Sequence, residues 1–177
     1  GKADRPSAPA LIPRRTMGLR AACEDGDLEK VSRLLDAGAQ VERASTKGRS
    51  SLYRACENGH AKVVKLLLKA GAEVDRANTK SFIYDKGRTP LFIACQNGHT
   101  KVVKLLLEAG AEVDRADPCF GGVPGTKPLH IACQNGHAKV VTLLLRAGAE
   151  VECAQFHNHG PLHMSLIHIS EPTRLAE

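Results

Sequence analysis

The stretch that decides the fold runs from Lys86 to Asp117, KGRTPLFIACQNGHTKVVKLLLEAGAEVDRAD. Thr89-Pro90 reads as a helix start, because a threonine oxygen caps free amides and a proline at the first helical position gives up a donor that had no partner. Gly98 stops that helix. His99 opens a second one, whose Val102, Val103, Leu105, Leu106 and Leu107 are apolar on more than one face, and Gly110 ends it. Such a helix must be covered on both sides. One helical hairpin cannot do that, whereas stacked copies of it can.

The copies are present. SLYRACENGH at Ser51–His60 and PLHIACQNGH at Pro128–His137 carry the same skeleton, and LRAACEDGD at Leu19–Asp27 carries a worn version. The shared cysteine falls at Cys23, Cys56, Cys95 and Cys133, at intervals of 33, 39 and 38 residues, which fits a 33-residue unit with two insertions. The spacing from Leu129 to Leu162 is again 33, so a fifth unit begins and then stops. The period predicts an all-α chain, an α-solenoid of stacked helix-turn-helix units.

Gly87-Arg-Thr-Pro-Leu-Phe, Gly98-His99 and Leu106-Leu-Glu-Ala-Gly-Ala closely resemble the ankyrin repeat pattern of Gly-x-Thr-Pro-Leu-His, Gly-His and Leu-Leu-x-x-Gly-Ala. The resemblance covers Thr16 to Met164. It implies an ankyrin-repeat α-solenoid with β-hairpin finger loops, a Gly-His histidine that bridges neighbouring backbone groups, and a binding surface on the concave side. Two departures stand out. The histidine after leucine is Tyr53 and Phe92 in two units, and the hairpin asparagine is Asp75, Asp114 or Glu152.

The expected units are 16–44, 45–77, 78–116, 117–154 and a partial 155–164, preceded by a basic linker over 1–15 without periodicity. In the first unit Lys30, Arg33 and Asp27 replace residues equivalent to Val63, Leu66 and His60, as a terminal unit facing water requires. The insertions, Ser81–Lys86 and Phe120–Pro124, fall in finger loops, where added length leaves the stack undisturbed. Ser165–Arg174 back-translates to a sequence resembling a transposase-type sequencing adapter. Residues 165–177 are therefore expected to be a scar, and the chain a fragment. Without a true C-terminal cap, Val140, Leu143 and Leu144 are expected to be partly exposed.

The 177 residues carry four phenylalanines, two tyrosines and no tryptophan, so the core must be built from Leu, Val and Ala. The net charge is +6. The four repeated cysteines occupy a position the family fills with a small apolar residue, and read as buried thiols in a reducing, cytoplasmic setting. No apolar run approaches the roughly 18 residues that span a membrane.

Candidate chemistry is thin. Cys56, Cys95 and Cys133 each precede a histidine by four residues, but a glycine breaks the helix between them and a nucleophilic pair has no reason to recur three times. A zinc site would need four convergent ligands, and the one dense set, Cys153, His157, His159 and His163, loses His163 to a structural position of the repeat. No phosphate-binding glycine loop follows a strand, and no cofactor is expected. The expectation is a non-enzymatic scaffold or adaptor that binds another protein, with neither a small-molecule substrate nor nucleic acid as its ligand.

The candidate contact residues are the finger aromatics Phe82, Tyr84 and Phe120, with the basic Lys47, Arg49, Lys86, Arg88 and Lys127 beside them. Glu57, Asn58, Gln96, Asn97, Gln134 and Asn135 would add hydrogen bonds from the first helices. The partner is expected to be acidic where it docks. An alternative reading makes the segment the targeting part of a larger enzyme, a kinase or a ubiquitin ligase.

Overall fold

The computed structural model describes residues 15–41, 48–78, 87–117 and 125–151. They form four helical hairpins: α1 (Arg15–Asp25) with α2 (Leu28–Asp36), α3 (Ser51–Glu57) with α4 (Ala61–Lys69), α5 (Pro90–Gln96) with α6 (Thr100–Glu108), and α7 (Pro128–Gln134) with α8 (Ala138–Arg146). The chain is an all-α solenoid. First helices α1, α3, α5 and α7 pack in one row and second helices α2, α4, α6 and α8 in another, each hairpin touching its neighbours.

Local chemistry sets the hairpins. The side chains of Ser50 and Thr89 accept the amides of Tyr53 and Phe92, both at 3.1 Å, and Pro90 and Pro128 stand in the first turns of α5 and α7. Gly59, Gly98 and Gly136 then turn each chain with φ between 71° and 75°, a left-handed conformation that costs other residues about 1–2 kcal/mol.

A hydrogen-bond ladder locks unit to unit. Asn58 Nδ2 and His60 Nε2 both donate to the backbone carbonyl of Glu24, at 2.9 and 3.0 Å. Asn97 and His99 do the same to Glu57 O at 2.8 and 3.0 Å, and Asn135 and His137 to Gln96 O at 2.8 and 3.0 Å. A carbonyl only accepts, so each imidazole carries its proton on Nε2. In the first described unit Asp27 stands at this position, and its carboxylate, which can only accept, takes Lys30 N of its own helix at 2.9 Å. A second tie runs along the turns: Asp75 accepts the amide of Glu112 at 3.1 Å, and Asp114 that of Glu150 at 3.2 Å. Burial pushes the Asp75 carboxyl up, while the Glu112 amide pulls it back.

The core runs the length of the array, with Tyr53, Phe92, Leu52, Leu91, Leu67 and Leu106 among its fully buried side chains. Burying each contributes about 1.5–3 kcal/mol. Val140 and Leu144 are buried too, contrary to the expectation of partial exposure, while Leu143 is half-buried in line with it. Helix α8 packs on α6 and α7, and it repeats the pattern of α4 and α6, in which Leu66, Leu105 and Leu143 are half-buried alike. The looser face of the fourth unit is on α7, where Ile131 and Cys133 are half-buried and Gln134 is exposed, against buried Ile93 and Cys95 in α5.

Among the described residues no β-strand forms. The finger bases are closed by Asn78 N donating to Arg88 O and Asp117 N to Thr126 O, both at 3.0 Å. The finger tips, the linker 1–14, and the residues from 152 onward, which include the partial fifth unit and the expected scar, lie outside the described residues.

A Cβ on Gly98 would lie 2.6 Å from the His137 ring, whereas one on Gly110, at a similar positive φ, meets nothing. Gly98→Ala therefore combines left-handed strain with displacement of the locking histidine, and Gly110→Ala carries the strain alone. We expect Gly98→Ala to lower stability by about 2 kcal/mol more than Gly110→Ala in urea unfolding. Equal losses would show that the ladder contributes nothing.

Candidate partner-binding surface

The first-helix row and the finger bases hold nine of the residues that sequence reading assigned to recognition, Arg49, Glu57, Asn58, Arg88, Gln96, Asn97, Lys127, Gln134 and Asn135. Glu57 and Gln96 are half-buried and Gln134 is exposed, one per unit at the same position. Their register is set from below, because the carbonyls of Glu57 and Gln96 are the ones gripped by the next unit's asparagine and histidine. Asn58, Asn97 and Asn135 are exposed, yet their amide nitrogens belong to the ladder. Each has one amide N–H committed to the ladder and keeps its second N–H and its oxygen.

The basic residues are less available than their number suggests. Arg49 reaches Glu57 at 3.2 Å and lies 5.6 Å from the Tyr53 ring centre. Arg88 bonds Gln96 Oε1 at 3.2 Å, lies 4.9 Å from the Phe92 ring centre, and has its Nε 3.6 Å from Asp117. A guanidinium over an aromatic face contributes about 0.5–1 kcal/mol, more when dry. Each arginine thus roofs the aromatic residue that stands where the repeat pattern has histidine. Lys127 donates to Glu150 at 3.1 Å. The side chains of Arg49, Arg88 and Lys127 are only 20%, 22% and 15% exposed. Lys47, Phe82, Tyr84, Lys86 and Phe120 lie outside the described residues.

Two participants escaped the sequence reading. Arg54 NH1 bonds Glu57 at 3.0 Å and Glu24 at 3.4 Å, and so links two units across the row. A signal was available: Arg54 is charged where Ile93 and Ile131 stand in the next two units. Asp117 holds Arg88 and the amide of Thr126 together at the second finger base.

Among the described residues the cysteines and histidines are not brought together as nucleophile and base. Cys23, Cys56 and Cys95 are buried, and burial pushes their thiols upward from the ordinary 9.0, Cys23 and Cys95 to about 12. The histidines four residues after Cys56 and Cys95, His60 and His99, are spent on backbone carbonyls. Cys133 is half-buried rather than buried, and desolvation raises its thiol as well. Cys119 and the cluster around His157 lie outside the described residues. Among the described residues no group of three or more His, Cys, Asp or Glu side chains is placed to hold a metal, and no helix is long and apolar enough to cross a membrane.

Hairpins that touch only their neighbours, tied through repeated side-chain bonds to backbone, define an α-helical repeat array whose open rows are surfaces for contact. A family model described as ankyrin repeats (3 copies) matches residues 12–78 and 75–155, most of the chain. The chain belongs to the ankyrin repeat family, whose repeats generally mediate protein–protein interaction. Comparison with curated proteins gives no match.

The thiols yield a pH test with a fixed sign. The folded chain keeps protons that unfolded thiols release near 9.0, so this contribution is complete below about pH 9 and is lost as pH rises toward 12. Cys95→Ala should therefore lose less stability than the parent between about pH 9 and pH 11. In the native state at neutral pH, iodoacetamide should label Cys133 before Cys56 or Cys95. Identical pH profiles together with equal labelling rates would overturn the assignment of these thiols to the core.

Proposed function

We propose that the array is a non-catalytic scaffold or adaptor that grips a partner protein along its first-helix row and fingers. The observation that carries this reading is the row Glu24, Glu57, Gln96 and Gln134. One polar side chain per unit stands in register, on backbone whose carbonyls are fixed by the ladder at Glu24, Glu57 and Gln96. A row set this rigidly loses little freedom on binding, which is how a repeat surface gains affinity from modest contacts.

The finger aromatics Phe82, Tyr84 and Phe120 supply anchors, since binding energy concentrates in a few large side chains. With Arg49, Arg88 and Lys127 bonded inside the array, attraction for an acidic docking site rests mainly on Lys47 and Lys86. Gln96 and Gln134 then read the partner's backbone.

The test uses a partner recovered on the immobilised chain and re-measured as a pure protein. Phe82→Ala, Tyr84→Ala and Phe120→Ala should each weaken binding by about 1–3 kcal/mol with unchanged helical circular dichroism. Lys86→Glu should slow association and flatten its salt dependence. A pure partner indifferent to all four changes would remove recognition from this face.

A further inference from the structure

The second-helix row carries a surface of different chemistry. Between α4 and α6 lies a groove walled by Lys62 and Lys65 on one side and by Lys101 and Lys104 on the other, floored by Ala61 and Leu105. Glu108 joins the lining and pairs with Lys104 at 3.8 Å. All four lysines are exposed, and Lys62, Lys65 and Lys101 form no ion pair.

Folding gives no reason for these charges. Lys62 and Lys101 stand in the first turns of their helices, where aligned peptide dipoles already present positive charge and neither first turn holds an acidic residue. At the equivalent position of α2 stands Glu29, the sign that the dipole favours. Lys62 with Lys65, and Lys101 with Lys104, are also like charges three residues apart on one helix, a repelling arrangement. The array carries this repulsion on its second and third units and avoids it on its first.

The floor narrows what such a groove takes. A phosphate backbone would use the lysines and leave Leu105 without a role. A bilayer needs apolar groups that protrude, and Leu105 is half-buried between the lysine walls. An amphipathic helix flanked by carboxylates uses both features, laying apolar side chains on the floor while its acids meet the rims. The walls are nine-residue helices, about 13 Å long, enough for two to three turns of an incoming helix.

We infer that the α4–α6 groove docks a short, acidic, amphipathic helix of a partner protein. This surface is separate from the first-helix row, and either can fail without the other. The probe is a fluorescein-labelled peptide of about fifteen residues, leucines at i, i+4, i+7 and i+11 between flanking glutamates, with a scrambled peptide of the same composition as control. Anisotropy should show saturable binding that falls at least about tenfold with Lys62→Glu/Lys101→Glu, with the scrambled peptide, or on raising salt from about 0.05 to 0.3 M. Amide resonances of α4 and α6 should move while those of α3 and α5 stay. The glutamates introduced at 62 and 101 suit the helix dipoles, so the double variant should melt no lower than the parent, and its lost binding cannot be unfolding. Phe82→Ala should leave the peptide's affinity unchanged. Absence of α4 and α6 perturbation, equal binding of the scrambled peptide, or tighter lysine-dependent binding to phosphatidylserine vesicles or single-stranded DNA would each overturn the proposal.

Discussion

One carbonyl per interface holds this molecule in register. Glu24 O, Glu57 O and Gln96 O each accept two hydrogen bonds from the following unit, one from an asparagine and one from a histidine. Helices of seven and nine residues are too short to persist alone in water, and no hairpin buries its apolar faces unaided. Stability must come from the interfaces, and apolar packing of Leu and Val is non-directional. A carbonyl approached by two donors supplies the direction. It admits one placement of each hairpin against the last, and the glycine beside each donor pair leaves room for the next ring at Gly59 and Gly98.

The first described unit departs from this device. At the Gly-His position it has Asp27, whose carboxylate can only accept and caps its own helix instead of reaching another unit's carbonyl. The second helix there is more polar, with Lys30 and Arg33 where later units have Val63 and Leu66, yet Val31 is still fully buried against the array. The polar outer face and the self-capping aspartate occur together in this unit. The last described unit shows the opposite case: α7 is built like α5, with Ile131, Cys133 and Gln134 in place of Ile93, Cys95 and Gln96, and it leaves those side chains more open than α5 does.

Much of the fold was legible because it is printed several times. A threonine before proline, a glycine ahead of histidine and a leucine run before Gly-Ala each have one local consequence, and their recurrence at one period requires stacking. The interaction surface was less legible. Sequence counts charges but does not show which are paired: Arg49, Arg88 and Lys127 read as free cations, and the fold sets each against a carboxylate or an aromatic ring within its own or a neighbouring unit. Asn58 and its equivalents read as adaptable donors for the same reason. Exposure on α8 was overstated for Val140 and Leu144, though not for half-buried Leu143, since the hydrophobic pattern of a helix does not state which neighbour each side chain meets. The Asn-Gly-His triplet, three times present and replaced by Asp-Gly-Asp at the start, held the clue that these asparagines face a preceding unit.

The two helix rows divide the charge between them, and the division follows from desolvation. In the first-helix row arginines and carboxylates are mostly covered, so an unpaired charge there would be costly and nearly every one has found a partner. Arg54 between Glu24 and Glu57 shows how far this goes, one guanidinium serving two units. Such pairs add little net stability, but each forbids shifted registers that would leave it unmatched. In the second-helix row the lysines reach into water, where leaving a charge unpaired costs little, and the array keeps several of one sign within a single groove. Pairing therefore makes the first row a rigid template whose charges are largely matched and whose uncharged amides remain for contact, while exposure leaves the second row with a field still to be neutralised.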